Sequence, residues 1–380
     1  MECDSAMIIH LVCAARPNFM KIAPLYHALR KEDWANPVII HTGQHYDPNM
    51  SAAFFKDLNL PNPDIHLDVK SGSHAEQTGK VMISYEKVLQ EQRPDLVVVV
   101  GDVNSTMAAT LAASKLGVRV AHLEAGLRSF DRTMPEEINR LVTDVLADML
   151  WTPSQDGVDN LIREGISPDK IQLVGNIMID SLEMLREKIE AQDTYRVFGL
   201  ESGGYGVVTL HRPSNVDDPI ILKDICDILR GVAEKTPLIF PVHPRTRKKM
   251  EENHLLTGME SSNRLLLPEP LSYIRFMNLV FHCRFAITDS GGLQEETSYL
   301  GIPCLTIRKN TERPITVTHG TNQLCELDDV IRKTNEILNG GRQKRKPIKF
   351  WDGKTAARIV EILRDLNTRV IAHEPENVRV

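Results

Sequence analysis

The sequence predicts an α/β protein built from two doubly wound parallel-sheet domains, and three observations carry that prediction. Short β-branched runs alternate with stretches of helical periodicity almost from end to end; the runs are apolar on both faces; and the alternation breaks once near the middle, then restarts. Strands of that kind, separated by about ten to fifteen helical residues, imply parallel sheets covered on both sides. A chain of 380 residues, 42% hydrophobic and 25% charged, is long enough for about two domains.

The candidate strands are IIHLVC, PVIIHT, LVVVVG, VRVAHLE and IQLVG in the first half, then GVVTL, LIFPV, RLLLP, RFAITD and PCLTI. Apolar spacing predicts helices over Pro17 to Leu29, Glu136 to Leu150 and Asp217 to Val232. Between Asp180 and Gly206 the charged stretch LEMLREKIEAQ runs into LESGGYG, which marks the hinge. The expected division is a first domain over 1–185 and a second over 186–352. The tail, 353–380, carries a helix around Thr355 to Leu366 that can pack on either domain, the first being the one expected. Loops at the carboxyl ends of the strands would then face a central cleft.

A formal net charge of −6 gives no basic footprint for nucleic acid and no polybasic membrane anchor, so an anionic ligand needs a local cluster. The one strongly basic run, Arg342 to Lys349, reads as a solvated loop. Acids stand where a secretory leader needs positive charge, and no apolar run approaches the ~20 residues that span a bilayer; a cytoplasmic protein is expected. Six cysteines, Cys3, Cys13, Cys226, Cys283, Cys304 and Cys325, form no CxxC pair and read as small hydrophobes in a reducing compartment. No HExxH, Cys/His knuckle or calcium loop occurs, so no metal is expected.

Chemistry concentrates just past the strands. Ile287 to Pro314, ITDSGGLQEETSYLGIPCLTIRKNTERP, reads as strand, Ser-Gly-Gly turn, helix, short strand and basic loop. Ser290, Gly291 and Gly292 would present backbone N–H groups at a helix N-terminus, where unsatisfied donors and the helix dipole favour a phosphate. Glu295 and Glu296, expected in the first turn, would place one carboxylate within reach of a ribose, with Arg308, Lys309 and Arg313 as counter-charge. The plain alternative is a well-capped βα turn.

Arg16 and Lys21 follow the first strand, Asp102 follows LVVVVG, Glu124 follows VRVAH, and PEEINR adds Glu136 and Glu137. His211 with Arg212 follows GVVTL, and His243 with Arg245 follows LIFPV. One domain thus offers acids and the other phosphate binders. Asp102 could instead cap a helix, Glu124 could pair with Arg128, and either of Glu136 and Glu137 could serve only the helix dipole. His45 and His122 read as structural or pocket-wall residues. Carboxylates sharing a pocket with cationic clamps suit chemistry at a sugar carbon near a nucleotide leaving group.

From RPNFMK through TGQHYD, GDVNST, HLEAGLRS, PEEINR, LHRPSN and PLSYIRF to DSGGLQEE and TERP, the chain resembles the non-hydrolysing UDP-N-acetylglucosamine 2-epimerases. The resemblance implies two Rossmann-like domains as in B-type glycosyltransferases, no NAD or metal cofactor, a homodimer, and a UDP-sugar as the small-molecule substrate. It implies an isomerase that eliminates UDP in anti fashion to 2-acetamidoglucal and adds it back with the opposite configuration at C2. By position, Asp102, Glu124 and Glu136 match the carboxylates around C2, His211 the residue assisting the leaving diphosphate, and Lys21 the essential lysine. Arg16, Ser290, Gly291, Gly292, Glu296 and Arg313 match UDP contacts, and Phe276 the uracil loop. Glu296 rather than Glu295 is the ribose contact on this ground alone.

The chain departs from the family pattern in three places. Ala14-Ala15-Arg16-Pro17-Asn18 replaces Gly-Thr-Arg-Pro-Glu, Pro213-Ser214 replaces Arg-Glu, and Asp47 stands where regulated members carry a glutamine for a second substrate molecule. The last implies an altered or missing allosteric site. Alternatives sharing the nucleotide clamp are an epimerase of a modified UDP-N-acetylhexosamine, a retaining glycosyltransferase, a hydrolysing epimerase and a silent sensor. A short-chain NAD-dependent epimerase is disfavoured because neither GxGxxG after the first strand nor YxxxK occurs.

Overall fold

The computed structural model describes residues 6–43, 55–341 and 345–373, with only the backbone described at Arg16 and over 369–373. The chain divides into two compact units, one made of Met1–Met184 with Lys349–Val380 and the other of Leu185–Ile348. The helices that position the site are α1 (Arg16–Leu29), α2 (Asn104–Lys115), α3 (Pro135–Leu146), α4 (Tyr273–His282), α5 (Gly291–Leu300) and α6 (Thr355–His373).

In the first unit seven strands, β1 (Met7–Cys13), β2 (Ala35–His41), β3 (Ile65–His66), β4 (Leu96–Val100), β5 (Arg119–Leu123), β6 (Met149–Thr152) and β7 (Ile171–Leu173), form one sheet in the order β3-β2-β1-β4-β5-β6-β7. Every pairing is parallel. β4 is buried along its whole length, as its five consecutive apolar residues require. The strand order reverses between β1 and β4, and Asn18 stitches that point. Its Oδ1 accepts from the N–H of Ala14 (3.3 Å) and Ala15 (3.0 Å), and its Nδ2 donates to the Val100 carbonyl at 3.0 Å. The asparagine that departs from the family pattern thus joins the ends of two strands.

The second unit is also fully parallel: β8 (Gly206–Thr209), β9 (Leu238–Ile239), β10 (Leu265–Leu266), β11 (Phe285–Thr288), β12 (Cys304–Thr306) and β13 (Asn322–Leu324), ordered β10-β9-β8-β11-β12-β13. Thr209 and Thr288 lie side by side where the order reverses, their hydroxyls 2.7 Å apart, so the loops after β8 and β11 start together. That is where a doubly wound sheet presents ligand groups.

The final helix completes the first unit. The Asp180 carboxylate accepts the N–H groups of Thr355 (3.1 Å) and Ala356 (2.8 Å), satisfying two donors at the start of α6. α6 packs on α1, burying Ile359, Val360 and Leu363, and Arg364 reaches Glu32 at 2.8 Å. The helix expected over Glu136 to Leu150 stops at Leu146; Ala147 turns to φ −67°, ψ 146°, and Met149 enters β6. No helix among the described residues is long and apolar enough to cross a membrane. Cys13, Cys226, Cys283, Cys304 and Cys325 are buried free thiols, and Cys3 lies outside the described residues.

Candidate functional site

In the first unit, Lys21 on α1 and Glu124 just past β5 form a buried ion pair, with side-chain exposures of 11% and 3%. The lysine occupies Oε2, whereas Glu124 Oε1 is buried without a hydrogen-bond partner among the described residues. A buried acceptor left over is costly. Glu124 also sits at φ +75°, held there by the N–H groups of Glu124 and Ala125, which both donate to the Trp151 carbonyl at 3.1 Å. The pairing of Glu124 with Arg128 expected from the sequence does not form. Arg128 instead joins Asp144 at 2.7 Å and Glu164 at 2.6 Å.

Gly101 ties this pair to Asp102, because a Cβ at Gly101 would meet Lys21 Nζ at 3.2 Å and Glu124 Oε2 at 3.5 Å. Asp102 does not cap α2, whose N-cap is Val103; its half-buried carboxylate pairs with the buried Arg140 guanidinium. Glu137 grips Arg140 from the other side, through Nε at 3.1 Å and Nη2 at 2.7 Å, and also accepts the N–H groups of Ser129 and Phe130 at 2.9 Å. Burial would raise the Glu137 carboxyl, but the Ser129 N–H and Arg140 outweigh it and hold the group below its ordinary range. The two glutamates of PEEINR therefore separate: Glu137 is buried and committed to structure, Glu136 is exposed on α3.

His122 belongs to the scaffold beneath. Its Nε2 lies 2.9 Å from the Gly101 carbonyl and its Nδ1 2.6 Å from Asp144, which also accepts the Gly126 N–H at 3.1 Å. The polar anchors Glu137, Asn139, Arg140 and Asp144 all come from α3, whose inward face is polar while Ile138 and Val145 point outward at 48% and 63% exposure. The apolar periodicity is real, but it faces away from the core.

In the second unit a cavity of about 330 Å³ is lined by Thr209 at the end of β8 and His211 just past it, by Tyr273 and Phe276 of α4, and by Ser290, Gly292 and Glu296 at the start of α5. α5 opens at Gly291 with Ser290 as N-cap, so Glu295 and Glu296 fall in the second turn and not the first. Their orientations differ. Glu295 turns to Arg313, with Nε at 2.8 Å, whereas Glu296 lines the cavity and accepts the Tyr273 hydroxyl at 2.7 Å. Burial pushes the Glu296 carboxyl up to about 7, with the Tyr273 hydrogen bond opposing and Glu295 adding to the rise.

His211 is held at the cavity edge by Asp289, which accepts its N–H at 3.0 Å and faces its Nδ1 at 3.2 Å. The same carboxylate takes the Arg212 N–H at 2.9 Å and Asn215 Nδ2 at 3.1 Å. Burial opposes ionisation of Asp289, yet the hydrogen bonds from His211 and Arg212 keep its carboxyl below the ordinary range. Asp289 was not singled out from the sequence; its place at the end of RFAITD, directly before the Ser-Gly-Gly turn, was the available signal. Lys309 is exposed, while Arg308 and Arg313 converge on Glu312. The Arg16 side chain and Gln44, His45, Tyr46 and Asp47 lie outside the described residues, as do residues 342–344 of the basic run.

Residues 27–364 match the family model described as UDP-N-acetylglucosamine 2-epimerase. A UDP-N-acetylglucosamine 2-epimerase of Methanocaldococcus jannaschii is 43% identical over 366 residues, which cover 94% of this chain and 99% of that one. A UDP-2,3-diacetamido-2,3-dideoxy-D-glucuronate 2-epimerase of Pseudomonas aeruginosa is 38% identical over 95% of this chain and 100% of that one. Among solved structures, the M. jannaschii UDP-GlcNAc 2-epimerase in complex with UDP-GlcNAc and UDP matches with a TM-score of 0.86 at 42% identity, over 94% of this chain and 100% of that chain.

Proposed function

Because the chain belongs to the UDP-N-acetylglucosamine 2-epimerase family and is an enzyme of the epimerase class, we propose that it interconverts UDP-GlcNAc and UDP-ManNAc without NAD or metal. The observation that carries this reading is Glu124, a buried carboxylate on a strained backbone with a lysine on one oxygen and the other unpartnered. In the forward direction the carboxylate set of Asp102, Glu124 and Glu136 takes the C2 proton, the C2–H electron pair becomes the C1=C2 double bond of 2-acetamidoglucal, and the C1–O bond breaks with its pair leaving on the β-phosphate of UDP. Lys21 counters the charge at Glu124. His211, its Nδ1 turned to Asp289, has Nε2 to stabilise the departing diphosphate, with Arg16, Ser290, Gly291, Gly292 and Arg313 around it. Phe276 receives the uracil and Glu296 the ribose. Return of UDP to C1, with a proton delivered to the opposite face at C2, completes the exchange.

Incubation with UDP-GlcNAc in heavy water tests the proposal: UDP-ManNAc should appear with deuterium at C2 and no acceptor required. Acceptor-dependent release of UDP without C2 exchange would mark a retaining glycosyltransferase instead, and free ManNAc a hydrolase. The 38% identity to an epimerase of a diacetamido uronate supports a second reading, a modified UDP-N-acetylhexosamine as the preferred substrate. Comparing kcat/KM on the two sugar nucleotides decides between them.

Glu296 gives UDP binding a pH dependence. A ribose hydroxyl donates best to an ionised carboxylate, so the ligand prefers the form of Glu296 that lies above its pKa of about 7. UDP affinity should therefore rise about fivefold or more between about pH 6 and pH 8, and the rise should be absent in Glu296→Gln. Isothermal titration across that range checks it.

A cytoplasmic homodimer completes the reading. Support for the dimer comes from the outward face of α3, where Ile138 and Val145 leave apolar surface for a second copy to cover. In sedimentation the protein should run as a dimer and the double variant Ile138→Glu, Val145→Glu as a monomer; a monomeric parent chain would sink the idea.

A further inference from the structure

Beside the Ser290–Gly292 turn three arginines converge on Glu312, one of them, Arg313, also pairing with Glu295 at 2.8 Å. Glu312 is buried at 4% exposure; Arg313 Nη1 lies 2.6 Å from its Oε1, Arg308 Nη2 2.7 Å from its Oε2, and Arg212 Nη2 3.6 Å from Oε1. The cluster abuts the first residue of α5, since a Cβ at Gly291 would meet Arg313 Nη1 at 2.7 Å and Glu312 Oε1 at 3.0 Å. Burial would raise the Glu312 carboxyl, but Arg313 and Arg308 hold it far below its ordinary range, so it is ionised. Burial and the neighbouring Arg308 charge in turn lower Arg212 from its ordinary value. Glu312 does not saturate the cluster: the Arg308 side chain is 5% exposed, yet its Nη1 has no hydrogen-bond partner among the described residues.

A reversible elimination sets a particular demand on such a clamp. The diphosphate must be held when the C1–O bond breaks, but not so tightly that it loses the power to attack C1 again. Three arginines and a helix N-terminus without a resident acid would bind the diphosphate at full strength. We propose that Glu312 is a positioning residue of the diphosphate clamp: its carboxylate gathers Arg212, Arg308 and Arg313 beside the Ser290–Gly292 turn and, as their standing counter-ion, keeps UDP affinity low enough for UDP to return. The inference rests on the reading above that this turn holds the diphosphate of UDP.

The test is E312Q, which keeps the shape and hydrogen-bonding reach of the side chain and removes its charge. UDP and inorganic pyrophosphate should each bind about tenfold tighter by isothermal titration, with kcat and KM falling together. A side chain that merely supported the fold would give weaker binding or a lower melting temperature instead. Unchanged or weaker UDP binding in a variant that melts like the parent would overturn the proposal. R308Q supplies an independent arm if E312Q folds poorly: with one cation fewer against the same carboxylate, UDP should bind about tenfold more weakly. Equal or tighter binding there would also overturn it. A parent protein that binds neither UDP nor pyrophosphate would remove the diphosphate assignment itself, and this inference with it; that outcome is distinct from a parent that binds both while E312Q is unaltered.

Discussion

Replacing Glu124 by glutamine is expected to lower kcat and the rate of deuterium uptake at C2 by about a thousandfold while leaving UDP binding in place. The substitution is nearly isosteric, so the amide oxygen can still accept from Lys21 Nζ and the turn at φ +75° keeps its two bonds to the Trp151 carbonyl. What disappears is the basic oxygen. Heavy-water exchange followed by mass spectrometry reads the chemical step, and titration with UDP reads the nucleotide half separately. Exchange at the parent rate would show that Asp102 or Glu136 carries the C2 proton and that Glu124 serves only as the partner of Lys21.

Gly126→Ala should cost about 3–5 kcal/mol of stability. Gly126 lies at φ +81°, and a Cβ there would stand 2.4 Å from the Gly157 carbonyl oxygen and 2.7 Å from its carbon. Both atoms are backbone, so no rotamer change relieves the contact. The position is also pinned from two sides, its N–H donating to Asp144 at 3.1 Å and its carbonyl accepting from Asn160 at 2.9 Å. Urea unfolding followed by circular dichroism measures the effect. A midpoint matching the parent would mean that the helix Gln155–Arg163, which holds Gly157 in its first turn, yields more easily than its packing implies.

Much of the fold can be read from the sequence because parallel strands buried on both faces leave unbroken apolar runs such as Leu96 to Val100. The strands that escaped such reading have reasons to. Ile65–His66 contributes two residues to the sheet, and Asn322–Leu324 opens on a polar residue whose side chain bonds Thr306 and Gln294. Met149–Thr152 was absorbed into the preceding helix because the turn at Ala147 and Asp148 contains neither glycine nor proline. At the site, positions just past strands were legible because the topology presents them to ligand. Their partners were not: Lys21 and Glu124 are 103 residues apart, and a nearby Arg128 offered a false local match. Periodicity showed that α3 has an apolar stripe but could not say which way it faces, and that direction separates the committed Glu137 from the exposed Glu136.

The interleaving of the two units sets an order of completion during translation. The first unit begins with β1, yet the helix that covers α1 arrives only after the whole of Leu185–Ile348 has been made. The nascent chain therefore finishes its second sheet while the flank of its first is still open to water. Ile359, Val360 and Leu363 close that flank only after the second sheet has been made. Slow translation just past Ile348 would thus prolong the interval in which the first sheet is exposed to aggregation.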